Sequence, residues 1–400
     1  MPLDRPRRST RPRVLTILAA TAVACLAALA SAPSHASGAA ARASSGYTWS
    51  AGSRSWALTE GVLPRALIAR GPAASITRGQ FLTALIAVQR LRAADDHSGT
   101  ATRSLMDVDM AAPALLDAPA SSPAARAVAA GWIIAKDGKF ASTTPITSDE
   151  AALAVLGALG LRTDVIELAR RLRAEVPGTT GVRWSYAASQ AMVRTLGMRF
   201  NILEGNDRYE LGPTETMNVA HGSYMLRVAA TEADSWKLDE ARGLATTFDL
   251  PTLGANQRRI LGVALRQLGQ PYIWAGETEG SQPEGHGGFD CSGFTMRVIN
   301  GAGIPTDQFR PITQRTSYDQ SGVIARARRI TRAKLQPGDA IFFGDKGPRS
   351  TPAQNFHAGV YMGNGWFIHS SGGNGGVAIN TLDGWWGEQF SWGRRVLLTP

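Results

Sequence analysis

The sequence predicts an α+β protein in which a helical repeat region precedes a domain of mixed helices and strands. A polar cap followed by an apolar helical stretch recurs about every 70 residues between residues 75 and 230. From about residue 256 the pattern becomes an amphipathic helix, a glycine-rich loop and a second helix. Residues 356–369 then alternate as two strands around a Gly-Asn-Gly turn.

Residues 1–36 are predicted to be an export signal. Five arginines precede an apolar stretch that begins at Val14, and the Ser-His-Ala sequence at residues 34–36 offers small residues for cleavage. A membrane anchor is the alternative, but the stretch is short for a span of ~20 residues and rich in alanine. We therefore expect a secreted protein with no stable membrane span after cleavage. Residues 37–55, rich in Ser, Ala and Gly, are predicted to be a flexible linker.

The chain is basic, and its charge limits the classes of partner. The formal net charge is +10, and removal of the predicted signal lowers it to +6. An exported basic protein suits an anionic surface such as a cell wall or its acidic polymers. Nucleic acid is the alternative partner, but the remaining chain shows neither zinc-finger spacing nor aromatic–basic interleaving, so we expect no nucleic-acid binding.

Residues 56–232 are predicted to be a helical repeat region, and residues 233–255 a linker. The three units start with polar caps that offer Thr, Ser, Asp or Asn to the first turn of a helix. The caps begin at Ser75, Pro145 and Pro213.

These units resemble S-layer homology repeats, which usually occur in threes and often anchor proteins to cell-wall polymers. The family's helix starts with an Ile-Thr-Arg-Ala-Glu-like sequence, and only the first unit keeps the arginine, as Arg78. The aligned residues in the other units are Ser148 and Thr216. A guanidinium is a natural ligand for anionic groups. The resemblance implies wall anchoring, and the alternative is three helical hairpins that only pack.

Cys291 is the single cysteine of the chain after residue 36, since Cys25 lies in the predicted signal. An unpaired thiol in an exported protein is a buried hydrophobe, an intermolecular link or a nucleophile. The sequence FDCSGFTMRVING predicts a helix that starts near Cys291 and ends at Asn300-Gly301. A helix N-terminus favours a thiolate, and Asp290 or Ser292 could cap it, so we favour the nucleophile.

A nucleophilic cysteine needs a base and a group that orients the base. Two of the five histidines after residue 36 lie on a predicted hairpin that would hold their rings, His357 and His369. The other three are interpreted as surface or packing residues: His97, His221 and His286. Zinc binding by a cysteine and two histidines is the rival, but no fourth ligand has recognisable spacing, so we expect no metal.

Four motifs carry a second resemblance. PYIWAG, FDCSGF, LQPGDAIFF and HAGVYMGNGWFIHSS occur in this order within residues 256–400. This combination is similar to the NlpC-type (NlpC/p-sixty) cell-wall peptidases. The resemblance implies a papain-like domain that needs no cofactor and cuts the stem peptides of bacterial peptidoglycan, often after D-γ-glutamate and before a diamino acid.

The resemblance also assigns roles to residues. Cys291 matches the nucleophile, His357 the base and His369 the orienting residue. The tyrosine of PYIWAG, Tyr272, matches an oxyanion-site residue. Two residues beside the nucleophile match positions that hold the substrate's free amino end in some members, Asp290 and Ser292. The sequence departs from the family in a longer loop at residues 275–288, which carries Glu277, Glu279 and Glu284, and in Ala275, which replaces a common glycine.

We therefore predict a cell-wall-associated peptidoglycan endopeptidase held at the wall by its repeats. Two alternatives stay open. Related folds act as acyltransferases, which would keep the acyl-thioester and change the acceptor. A papain-like domain that has lost activity would leave a wall-binding structural protein.

Overall fold

A computed structural model of the chain describes residues 46–95, 115–203, 205–283 and 285–398. The predicted export signal, with Cys25, lies outside the described residues. Residues 37–45 of the predicted linker, His97 and Glu284 also lie outside them. None of the described helices is both long enough and apolar enough to cross a membrane.

Helices precede the main sheet along the chain, as the predicted α+β class requires. The described α-helices are α1 Ala51–Thr59, α2 Arg65–Ile68, α3 Arg78–Asp95, α4 Pro123–Ala129, α5 Ser148–Ala158, α6 Arg162–Glu175, α7 Trp184–Thr195, α8 Val219–Thr231, α9 Ser235–Thr247, α10 Ala255–Arg266, α11 Cys291–Asn300, α12 Ser317–Gly322 and α13 Gly384–Gln389. The described strands are β1 Glu277–Thr278, β2 Gly288–Phe289, β3 Ala340–Phe343, β4 His357–Gly363, β5 Trp366–Ser371, β6 Gly376–Thr381 and β7 Phe390–Arg394.

The three helical units close into a ring through their backbones. The N–H of Ile76 donates to Met217 O at 3.0 Å, that of Met217 to Ile146 O at 2.8 Å, and that of Ile146 to Ile76 O at 3.0 Å. All three side chains are fully buried. Because each unit satisfies the next one's backbone, the ring is complete only with all three units. The S-layer homology interpretation of these units stays a prediction.

The ring corrects the register of the third unit. Met217 stands where Ile76 and Ile146 stand, so the counterpart of Arg78 in the third unit is Val219 and not Thr216. Asn218 caps helix α8 by accepting a bond from the His221 N–H at 3.0 Å. The polar stretch that begins at Pro213 precedes this cap as a turn, which the cap-like composition of the stretch concealed.

Arg78 is buried and structural. Its side chain donates to Phe140 O at 2.7 Å, to Ile134 O at 2.6 Å and to the carboxylate of Glu150 at 2.9 Å. It has no exposed surface. Arg78 therefore stabilises the contact between the first two units, and it is not available to bind an anionic polymer.

The predicted linkers are partly wrong. Residues 233–255 contain helix α9, which buries one face between Leu238 and Ala245. The interspersed charged residues of this amphipathic segment hid the apolar spacing. Phe248, which follows α9, is fully buried and packs on Trp366 with ring centroids 5.4 Å apart. At the other end, the last residues of the predicted 37–55 linker begin helix α1.

The C-terminal part is built on a five-stranded antiparallel sheet with the order β6-β5-β4-β3-β7. Helices α10 and α11 share an apolar cluster with one face of the sheet, and a smaller cluster around Phe343 and Phe367 covers the other face. The predicted hairpin turn is present between β4 and β5. Asn364 and Gly365 have φ angles of +47° and +87°, as a two-residue hairpin turn requires.

Candidate active site

Cys291 is the first residue of helix α11, as predicted. Asp290 is the cap, because its carboxylate accepts the Gly293 N–H at 2.6 Å. A side chain at Gly293 would collide with the carbonyl of Gly276, so glycine there lets the PYIWAG segment lie against the helix start. The Cys291 side chain is 7% exposed. The thiol therefore lies at a narrow opening where a helix and a loop meet.

The surroundings keep this thiol protonated. Burial raises the pKa of Cys291 to about 12, and the carboxylate of Asp290 raises it further. Hydrogen bonds from the backbone of Ala358 and Ser292, together with the charge of Arg315, oppose this rise in pKa. The expected preference for a thiolate at the helix start is therefore outweighed by burial, and the nucleophile needs a base.

This protonation state predicts how the thiol reacts with iodoacetamide. Because the thiolate is the reacting form, the alkylation rate of Cys291 should rise about tenfold per pH unit between pH 7 and pH 9. The measurement is the rate of mass gain by the intact chain, with Cys291→Ala as the control that subtracts reaction at Cys25. A rate independent of pH across this range would instead show a preformed thiolate–imidazolium pair.

His357 and His369 lie on the paired strands β4 and β5 and contact each other. Nε2 of His357 lies 2.6 Å from Nδ1 of His369, and Nε2 of His369 lies 2.8 Å from Oδ1 of Asn380 on β6. The Trp386 ring covers both imidazoles, with centroids 5.0 and 4.8 Å away. Burial lowers the pKa of His369 to about 4 and holds the pKa of His357 well below its usual value, where His369 adds to the effect.

The amide oxygen of Asn380 fixes the tautomers of this relay. Because an oxygen only accepts, Nε2 of His369 carries a hydrogen and its Nδ1 accepts one from Nε2 of His357. Nδ1 of His357 is then the unprotonated nitrogen and can act as a base. Ala358, whose backbone bonds the Cys291 thiol, directly follows His357. Sequence reasoning missed Asn380, although a polar residue on the otherwise apolar strand β6 was a usable signal.

Asn380 is therefore predicted to be a positioning residue. Replacing it with leucine should lower kcat by roughly tenfold to a hundredfold, because His369 can then adopt the wrong tautomer. Asn380→Asp keeps the acceptor and should retain most activity. Its negative charge favours protonated imidazole, so the acid limb of the pH profile should move to higher pH. Equal losses in both variants, with an unshifted acid limb, would contradict this role.

Tyr272 lies in the same electrostatic environment as the thiol. Burial raises the pKa of its phenol, and the charges of Cys291, Asp290 and Asp207 raise it further. The hydroxyl therefore stays protonated and can donate a hydrogen bond. Asp207 belongs to the helical region, so that region contributes to the electrostatics of the site.

Arg315 binds both residues that were predicted to hold the substrate's amino end. Its guanidinium donates to both carboxylate oxygens of Asp290, at 3.1 and 2.7 Å, and to the Ser292 hydroxyl at 3.0 Å. It also pairs with Glu277 of the long loop. Sequence reasoning missed Arg315, because it lies outside the recognisable motifs.

His286 holds the long loop and has no contact with the histidine relay. Its Nδ1 faces Gly287 O at 2.6 Å, and its Nε2 faces the carboxylate of Glu215 at 2.5 Å. Glu215 belongs to the third helical unit. The interpretation of His286 as a solvated surface residue is therefore wrong, since the side chain ties the loop to the helical region.

Comparisons with known proteins agree with this site. Residues 269–395 match the sequence model of the NlpC/P60 family. A probable endopeptidase of Mycobacterium tuberculosis is 30% identical over 119 residues, which cover 30% of this chain and 24% of that protein. The bifunctional muramidase/DL-endopeptidase CwlT of Bacillus subtilis is 33% identical over 139 residues, 34% of this chain and 35% of that protein.

A further relative has a different printed activity. The murein DD-endopeptidase MepS/murein LD-carboxypeptidase of Escherichia coli is 28% identical over 110 residues, 28% of this chain and 50% of that protein. The chain thus spans half or less of the length of these three relatives. The matched segment contains the thiol, both histidines and Asn380. Residues 269–395 are therefore a domain of the NlpC/P60 family in the C-terminal part of this chain.

Proposed function

We propose that this protein is a peptidoglycan endopeptidase that cuts stem peptides by attack of the Cys291 thiol. The observation that carries the proposal is the His357–His369–Asn380 relay on three adjacent strands, beside a buried thiol at a helix start. The endopeptidase names of the relatives support the same activity.

The first half-reaction forms an acyl-enzyme. Nδ1 of His357 takes the thiol proton as sulfur attacks the amide carbonyl, because neither group is charged beforehand. The Cys291 N–H and the Tyr272 hydroxyl are the proposed donors to the oxyanion, and one such donor contributes ~3 kcal/mol. Protonated His357 then gives its proton to the leaving amine, and a thioester remains.

The second half-reaction releases the acid. Water attacks the thioester while Nδ1 of His357 accepts its proton, and the thiolate leaves and recovers that proton. His369 keeps Nε2 of His357 occupied throughout, so the same nitrogen serves both steps. A better acceptor than water would turn the enzyme into an acyltransferase, which product analysis distinguishes.

The proposed bond is the one between D-γ-glutamate and the diamino acid. A γ-linked glutamate leaves its α-carboxylate free, and Arg315 presents a guanidinium beside the nucleophile. Asp290 and Ser292 are proposed to contact the substrate's amino end together with Arg315. The relatives' printed names cover both a DL- and a DD-endopeptidase, so the bond must be identified directly.

We also propose that the protein is exported and associated with the wall. The support is the signal-like sequence of residues 1–36 and the charge of +6 that would remain after its removal. Fractionation of the source cells should place a chain lacking these residues with the wall. A full-length chain in the cytosol would contradict this proposal.

Digestion of purified peptidoglycan by the full chain and by Cys291→Ala tests the function. Mass spectrometry of the released fragments should show cut stem peptides with the first protein only. The new termini identify the bond. Equal products from both proteins, or none from either, would refute the proposal. Because Cys291 is a buried small side chain, circular dichroism of both proteins checks that they are folded alike.

A further inference from the structure

A cationic groove lies away from the active site, between the helical region and the C-terminal domain. It has a volume of about 400 Å³. Helix α10 forms one wall, the loop at residues 177–180 a second, and residues 301–303, just beyond the end of α11, a third. Helix α11 has 10 residues and is about 15 Å long, so the groove and Cys291 lie at opposite ends of it.

Three arginines of α10 line the groove: Arg258, Arg259 and Arg266. There is no aspartate or glutamate among the described residues that line it. Arg259 donates to Gly303 O at 3.0 Å, Arg266 to Thr180 O at 3.5 Å, and Arg258 to Leu253 O. A backbone carbonyl has no net charge, so these bonds orient the guanidiniums without neutralising them.

The remaining lining suits an oxyanion. Thr179 and Thr180 offer hydroxyls, and three of the lining positions are glycines beside the arginines, at residues 178, 301 and 303. Glycines let a ligand approach the backbone closely. Guanidinium groups match the geometry of phosphate oxygens. The groove therefore has the chemistry of a phosphate site.

The spacing of the arginines selects an extended ligand. Arg259 and Arg266 are seven residues apart, which places them on one face of α10 about 10 Å apart along the axis. A single phosphate reaches only one of them. A chain with successive charges reaches both, and the groove is open at the surface because both side chains are exposed.

We propose that this groove binds a polyanionic phosphodiester chain of the cell wall. The wall as the source follows from the proposed function, whereas the phosphodiester chemistry follows from the groove alone. Bound there, such a polymer would hold the enzyme at the wall while the other end of α11 faces the peptide. Since Arg78 is buried, this groove supplies the guanidiniums that the repeat units do not present.

The test uses wall sacculi that retain phosphodiester polymers, and the same sacculi stripped with hydrofluoric acid. The full chain carries Cys291→Ala, so the wall is not digested. R259Q/R266Q should raise the Kd for untreated sacculi at least about tenfold, a loss of 1.4 kcal/mol. The matched control R326Q/R328Q removes the same charge from an exposed segment and should change the Kd less than about twofold.

Further arms separate the alternatives. R259K/R266K keeps the charge without the planar fork and should restore binding in part. Sodium polyphosphate should compete for untreated sacculi, whereas inorganic phosphate at equal phosphorus should not. With Cys291 intact, R259Q/R266Q should cleave soluble stem peptides normally, so a failure of binding is distinct from a failure of the proposed hydrolase.

Several results would overturn the proposal. Equal losses in the two double variants would show an effect of net charge only. A loss confined to R326Q/R328Q would move the binding surface to residues 326–334. Unchanged binding to stripped sacculi would exclude the phosphodiester polymer, and competition by a single-stranded DNA oligonucleotide matching that of polyphosphate would indicate a general nucleic-acid surface.

Discussion

His357→Gln is expected to lower kcat/KM about 10⁴-fold, because His357 is the only proposed base and acid for both half-reactions. His369→Gln should cost about a hundredfold. This variant loses the acceptor at 2.6 Å that fixes the His357 tautomer, but it keeps the base. Hydrolysis of a soluble γ-D-glutamyl-diamino acid peptide by each variant measures both effects.

The double variant gives the sharper result. If the two histidines act as one relay, His357→Gln/His369→Gln should be no slower than His357→Gln alone, since the relay is already broken. Losses that multiply would show that His369 acts independently of His357. Trp386→Phe is a matched control, because it preserves an aromatic ring over both imidazoles and removes no relay bond.

The pH profile adds a constraint on the same relay. Protonation of Nδ1 of His357 stops catalysis, and its pKa lies well below the usual histidine value. Activity should therefore persist as the pH falls through 6.5 and fail only at clearly lower pH. An acid limb centred near pH 6.5 would mean that substrate binding or the protein does not keep this imidazole desolvated.

The parts of the site that sequence reasoning identified share one property. Cys291, His357 and His369 are the chemically reactive residues of short recognisable motifs, and local patterns already predicted their helix and hairpin. Asn380 and Arg315 were missed because their roles arise from pairing between strands and from contacts across loops. Neither residue is unusual in its own stretch of chain.

The helical region shows the same limit at a larger scale. Its repeat was visible because each unit has its own cap and apolar helix. The register of the third unit was not visible, since Pro213 and Thr214 imitate a cap that Asn218 provides. The role of Arg78 also depended on the fold, because an exposed and a buried arginine have the same local sequence.

The contact between the helical region and the NlpC/P60 domain depends on Arg194 of α7. This side chain is 2% exposed and donates to four backbone carbonyls of the C-terminal part. Two of them, Gly269 at 2.8 Å and Gln270 at 3.2 Å, precede the Tyr272 segment. The other two, Asn374 at 3.2 Å and Gly375 at 2.6 Å, precede the strand that carries Asn380.

Arg194→Met is therefore expected to lower the free energy of unfolding by about 3 kcal/mol or more. It leaves four buried carbonyls without their charged donor, and hydrogen bonds to charged groups contribute roughly 1.5–3 kcal/mol each. The measurement is the urea midpoint of the full chain, and the control is Arg170→Met. Arg170 is 62% exposed and pairs only with Glu167, so that change should cost less than about 0.5 kcal/mol.

Activity of the same variant tests why this contact matters for function. Since Arg194 positions both the Tyr272 segment and the strand of Asn380, kcat should fall under conditions where the variant is still fully folded. A midpoint equal to that of Arg170→Met, with normal kcat, would show that the two regions fold and work independently. Residues 256–400 alone should then be an active enzyme, whereas the bonds of Arg194 lead us to expect that they are not.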